Sequence, residues 1–231
     1  MKKTHSFIPS VKDLVFFFLT FIVLVLAISA TFQMIRTMRG LSVAGPAEIS
    51  FLAGFITYLL VHFLLYKPVF AHVMAHELTH MLWAALFGGK TQSLHVSKTG
   101  GKVMISKSNF MISLAPYFFP LYAMAATLVF YIAKEQYQVY VAFFVGAALS
   151  FHIALTLFSL TTEQSDLYQD SNLIFSLAFV YLMNIVVLML ILTVVTKEIS
   201  LKDFAVFLLN IFVGVWDLTV MAVRKVNEVL R

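Results

Sequence analysis

Pro68-Val69-Phe70-Ala71-His72-Val73-Met74-Ala75-His76-Glu77-Leu78-Thr79-His80-Met81-Leu82-Trp83-Ala84-Ala85-Leu86-Phe87-Gly88-Gly89 is the stretch on which the reading of this chain turns. Pro68 stands where a helix start tolerates proline, and Gly88-Gly89 stand where a helix stops. Between them lies an apolar helix that contains His76-Glu77-Leu78-Thr79-His80, an H-E-x-x-H pattern. Residues four apart on a helix lie about 40° apart on one face, so His76 and His80 can grip a single zinc ion. Glu77 sits beside them, where its carboxylate can hold a water and take its proton.

Chance is a poor explanation for that pattern. With 7 His among 231 residues, and Glu as scarce, about 0.005 such matches are expected at random. The setting adds weight. An ionisable side chain in the middle of a membrane costs from roughly 3 to more than 10 kcal/mol, so one found there is a functional candidate.

The rest of the chain supplies that membrane setting. It is 61% hydrophobic and 12% charged, with 24 Phe and a mean hydropathy of +0.93. A soluble fold of this size would lack the polar side chains to cover its surface, and disorder is excluded by the apolar content. The absence of Cys rules out disulfides and thiolate ligands, so a metal site must use His and carboxylates. A net charge of +5 is ordinary for loops and helix ends of a membrane protein and is not a nucleic-acid signal. Charges punctuate the sequence into candidate spans at Leu14–Met34, Ile49–Tyr66, Pro68–Gly89, Asn109–Ala133, Val139–Thr162, Ser171–Thr196 and, more polar, Phe204–Val223. The first is too long for a signal-peptide core and lacks a small-residue cleavage site, so it is expected to be retained. No repeat or linker divides the chain. The expected fold is an all-α polytopic membrane protein of about six to seven transmembrane helices, one membrane-embedded domain over 1–231 in a lipid bilayer. A small β-hairpin is expected after the H-E-x-x-H helix, where Ser93–Ser106 places β-branched residues around Gly100-Gly101. Taken as a two-residue turn, that pair sets Val96 opposite Ile105.

A catalytic zinc normally has three protein ligands. His72 shares the face of His76 and His80, but three His at i, i+4 and i+8 spread over about 12 Å and do not reach one ion. His72 is therefore read as a cavity-lining or hydrogen-bonding group. His152, inside the fifth span, is a candidate ligand or hydrogen-bond partner, and His62 and His95 are read as structural or surface residues. The polar stretch Thr161–Asn172 returns to the side toward which the His80 end of its helix points, and it carries Glu163, Asp166 and Asp170. Asp166 and Asp170 share a face if the sixth helix starts early, and either can supply the third ligand.

These residues resemble the site-2 protease class of intramembrane zinc metalloproteases, as a divergent member. The resemblance is specific at His76–His80 in its apolar helix, with Gly88-Gly89 and a Gly-containing hairpin following, and looser across a core of about 68–196. The family's third ligand is an Asp in an Asn-Pro-Asp-Gly-like or Leu-Asp-Gly motif. This chain departs from it with Gln164-Ser165-Asp166-Leu167 and Gln169-Asp170-Ser171. The resemblance implies a zinc metalloendopeptidase that hydrolyses peptide bonds of membrane-spanning substrates, with His76, His80 and Asp166 on Zn2+, Asp170 as second choice, and Glu77 as general base. It also implies a multi-pass place in a bacterial or archaeal cell membrane, a site opening toward the cytosol, and room for a regulatory membrane partner. A substrate helix must unwind before cleavage, because its peptide bonds are internally hydrogen-bonded. An edge of the hairpin near 93–106 can hold the unwound segment by strand addition.

Two other readings share the motif. A prenyl-protein-processing type of membrane zinc protease would use Glu163 as ligand, and a metal transporter or pseudoprotease scaffold would use the His/carboxylate chain without hydrolysis. Elsewhere, Pro116 and Pro120 are expected to kink or break the fourth span. Asn184 is expected to face the bundle or an interface, with a hydrogen bond to substrate backbone as the alternative. Asp203, Asn210, Asp217 and Arg224, seven apart, form a polar stripe expected to face the bundle or an interface.

Overall fold

The computed structural model describes residues 11–41, 45–97, 100–160, 166–169, 172–196 and 198–229. Among the described residues, the regular structure is helical apart from one hairpin. In order come α1 (Val11–Arg39), α2 (Pro46–Leu64), α3 (Val69–Leu86), β1 (Thr91–Ser97), β2 (Gly100–Ile105), α4 (Phe110–Phe118), α5 (Leu121–Ile132), α6 (Glu135–Ser159), α7 (Asp166–Gln169), α8 (Leu173–Val195) and α9 (Leu201–Val229). Five of these (α1, α2, α6, α8 and α9) are long and apolar enough to cross a membrane, and α4 with α5 makes a sixth if the bent pair counts as one span. α3, carrying three His and a Glu over 18 residues, does not qualify by that measure. Against the expected six to seven spans, the described residues hold five to six candidates.

Helix ends follow local chemistry. Pro46 opens α2, and the side chains of Asn109 and Asn172 cap α4 and α8 by accepting from the amides of Ile112 and Ile174, each at 2.9 Å. α3 stops in a Schellman motif: the Gly89 amide donates to Ala84 O at 2.7 Å and the Gly88 amide to Ala85 O at 2.9 Å. That geometry needs a left-handed residue, and Gly88 has φ +72°. Lys107 Nζ donates to Phe87 O at 3.2 Å, a cation at the negative end of the helix.

Three apolar clusters hold the bundle. α2 and α6 pack through reciprocal glycines: a Cβ on Gly54 would run into Phe143 O, and one on Gly146 into Phe51 O. Small residues let helix backbones approach this closely. Phe51, Val145, Leu149 and Ile191 complete that cluster with help from α5 and α8. α1 lies on α8 and α9 around Ile185, Met189, Phe207 and Ile211. The buried side of α9 is therefore Phe207, Ile211 and Gly214, whereas Asp203, Asp217 and Arg224 are exposed. Three of the four polar positions thus point away from the bundle, because the apolar face takes the packing, and Asn210 is half-buried; Asp203 caps its own helix by accepting from Ser200.

The hairpin differs from the sequence expectation in register. Val96 pairs with Gly101 and Ser97 with Gly100, while Ile105 pairs with Thr91. Both glycines lie in β2 rather than at the turn. The reason is a close approach: a Cβ on Gly101 would sit 2.6 Å from Glu77 Oε1 and from Val73 Cγ1. Glycine serves here to let a strand backbone lie against α3, not to turn the chain.

Candidate metal centre

α3 turns the face bearing His72, His76, Glu77 and His80 toward a cavity of about 800 Å³. β2 forms another wall, from Gly100 to Ile105, and Ser159 and Asp166 close the far side. Asp166 begins α7, a single turn standing apart from α8, so the sixth helix does not start early. Its position is fixed by the next residue. Leu167 is buried with Leu114, Tyr117, Phe118 and Val180, and its carbonyl accepts from buried Ser176 Oγ at 2.8 Å. Burying Leu167 therefore aims the Asp166 carboxylate at α3.

Three donor atoms converge. His76 Nε2 is 3.2 Å from His80 Nε2 and 3.3 Å from Asp166 Oδ2, and His80 Nε2 is 3.6 Å from the same oxygen. These three residues form a group able to hold a metal ion. A tetrahedral zinc with bonds of 2.0–2.1 Å requires donor atoms about 3.3–3.4 Å apart, so the spacing fits. The donor set fits too: His80 Nδ1 lies 2.9 Å from Ile112 O, an acceptor only, so Nδ1 carries the hydrogen and Nε2 offers a lone pair. A lone pair and a carboxylate oxygen facing one another call for a cation between them. Tyr117 Oη donates to Asp166 Oδ2 at 3.3 Å, and its ring meets His76 edge-on at 5.4 Å between centroids.

Glu77 is 7% exposed. It lies between the histidines and the hairpin, where the Val103 amide donates to its carboxylate. The remaining candidates are placed elsewhere. His72 lines the cavity and pairs its Nε2 with Ser159 Oγ at 2.7 Å, outside the three-residue group. His152 is buried on α6 and is likewise not part of it. His62 is buried on α2 near Tyr58 Oη, and His95 is exposed on β1. Asn184 does not offer its amide to a substrate: Nδ2 donates to Tyr117 O at 2.9 Å and Val180 O at 2.8 Å. Glu163 and Asp170 lie outside the described residues.

The two prolines break the helix expected over Asn109–Ala133, as their spacing predicts. α4 and α5 meet at 69°, and the break exposes the Tyr117 carbonyl that Asn184 takes. Sequence reasoning missed Tyr117, Ser159 and the Ile112 carbonyl. None carries a local signature, because each acts only through contacts made across the chain. Compared with known proteins, the chain matches no family model, no curated protein and no solved structure.

Proposed function

We propose that this protein is an intramembrane zinc endopeptidase of the site-2 protease type, cleaving peptide bonds of membrane-spanning substrates. The observation that carries the reading is the convergence of His76, His80 and Asp166 at 3.2–3.6 Å with Glu77 beside them. A zinc ion held by those three would act as a Lewis acid that makes a water more acidic and polarises a carbonyl. The chain's own residues do the rest. Glu77 faces the cavity next to the donor atoms and serves as the base that takes a proton from the attacking water and returns it to the leaving amine. Tyr117 steadies the Asp166 carboxylate. β2, lying along the cavity, offers an extended backbone against which an unwound substrate segment can align. Large apolar side chains point outward along the long helices, among them Phe17, Phe63 and Trp216, each more than 60% exposed, which suits a lipid surround. The bilayer and the substrate's own span would then bring the scissile bond to the cavity mouth.

The test uses purified full-length protein in lipid vesicles, with metal content measured by mass spectrometry and cleavage of single-span reporter proteins followed on gels. The wild type should carry one zinc per chain and cut. Glu77→Gln should keep the zinc and lose about a thousandfold in rate. Zinc uptake into vesicles that survives Glu77→Gln and fails with His76→Ala, without cleavage by the wild type, would move the reading to transport.

A further inference from the structure

α4 contains a proline whose position relative to His80 has a chemical consequence. In an α-helix the amide of residue 116 would donate to the carbonyl of residue 112. Residue 116 is proline, which has no amide hydrogen and lies inside α4. The Ile112 carbonyl is thereby left without its helical donor, and Ile112 is fully buried, so water is no substitute. His80 Nδ1 lies 2.9 Å from that oxygen.

We propose that Pro116 is a positioning residue for the metal centre: it withholds the amide that would otherwise occupy Ile112 O, so that this carbonyl fixes the ring and tautomer of His80. The inference rests on the metal-site reading above and deepens it. A carbonyl bonded to one nitrogen of a metal-binding imidazole holds the ring plane and makes the other nitrogen a better donor. Neighbouring residues support the placement. Asn109 caps α4 three residues before Ile112, fixing where that carbonyl points, and the Tyr117 carbonyl at the adjoining break is taken by Asn184 and His152, away from His80. The carbonyl that Pro116 uncovers is the one His80 takes. An alanine at 116 would restore a helical donor four residues on, and Ile112 O would then be shared between that amide and His80, with the ring less firmly held.

The experiment measures zinc affinity by chelator competition for wild type, Pro116→Ala and Pro120→Ala in the same vesicles, alongside the visible spectrum of the cobalt-substituted proteins. Pro116→Ala should bind about tenfold more weakly, at the low end of the usual effect of removing a metal ligand's hydrogen-bond partner, with a shifted cobalt spectrum. Pro120→Ala, at the same bend, should stay within threefold with an unchanged spectrum. A loss under threefold for Pro116→Ala, or an equal loss for Pro120→Ala, overturns the proposal. Should Pro116→Ala fail to fold, nitrogen NMR of histidine-labelled, metal-free wild type decides: hydrogen on Nδ1 of His80 supports the proposal, and hydrogen on Nε2 overturns it. A wild type that binds no zinc but shows the Nδ1 tautomer would sink the metal reading and leave the proline–carbonyl–histidine arrangement standing.

Discussion

The α2–α6 seam and the α3–hairpin seam both bring backbones very close through glycine, yet they serve opposite ends. Along α2–α6 the contact is reciprocal and apolar, with Gly54 and Gly146 each lying under the other helix's backbone. Along α3 a single glycine, Gly101, lets a strand lie over an acid, Glu77. The first arrangement buries carbon and yields stiffness. The second leaves a cavity and surrounds it with ionisable groups. Stability and chemistry thus reside in separate seams, which makes them separable by mutation.

The sharpest break of this division is at the donor atoms. Asp166→Asn should lower zinc affinity more than a hundredfold, beyond the 10–100-fold typical of groups that merely support a ligand, while the helical circular dichroism stays within a few per cent of wild type. Loss of fold with loss of metal would show that the ion holds the bundle together as well. Next in size is the opposite seam. Gly54→Val or Gly146→Val forces two backbones apart and should cost about 3 kcal/mol in a denaturation experiment in detergent, with zinc stoichiometry per folded molecule unchanged. Gly101→Val should push β2 away from α3 and slow cleavage about tenfold by moving the strand that lies along Glu77; zinc affinity measured in parallel should hold. The smallest effect is expected at Tyr117→Phe. Removing one hydrogen bond to the carboxylate should weaken zinc by about 1 kcal/mol, roughly fivefold, in chelator competition.

The same division explains what the sequence could and could not tell. His76, Glu77 and His80 are legible because a helix converts spacing into geometry, and the apolar surroundings make them conspicuous. The ends of α3, the existence of the hairpin and the break at Pro116–Pro120 are legible for the same reason: proline and glycine act locally. Asp166 is legible only as one carboxylate among several, since what selects it is the burial of Leu167 among residues from α4 and α8. The hairpin register misleads because Gly-Gly reads as a turn, whereas Gly101 answers to a neighbour 24 positions back in the sequence. The boundaries of α3 read as those of a span; the polar face that gives it its chemistry is what removes it from the helices apolar enough to cross alone. Tyr117 and the Ile112 carbonyl had no signal at all, because a tyrosine in an apolar run looks like any other and a backbone oxygen has no letter.

The placement of Asp166 also bears on the life of the newly made chain. The histidine pair exists as soon as α3 winds, but the carboxylate that completes the set lies 90 residues further on from His76 and is held in place by α8. During synthesis, at about 5–20 residues per second, the emerging protein would spend several seconds with two imidazoles and no third donor. The centre is thus unfinished until nearly the whole bundle has been made. An ion bound at the end of that process would join segments far apart in sequence, and by binding only the folded arrangement it would favour that arrangement over looser ones. A proteolytic centre completed in this order would stay inert in a partly made chain.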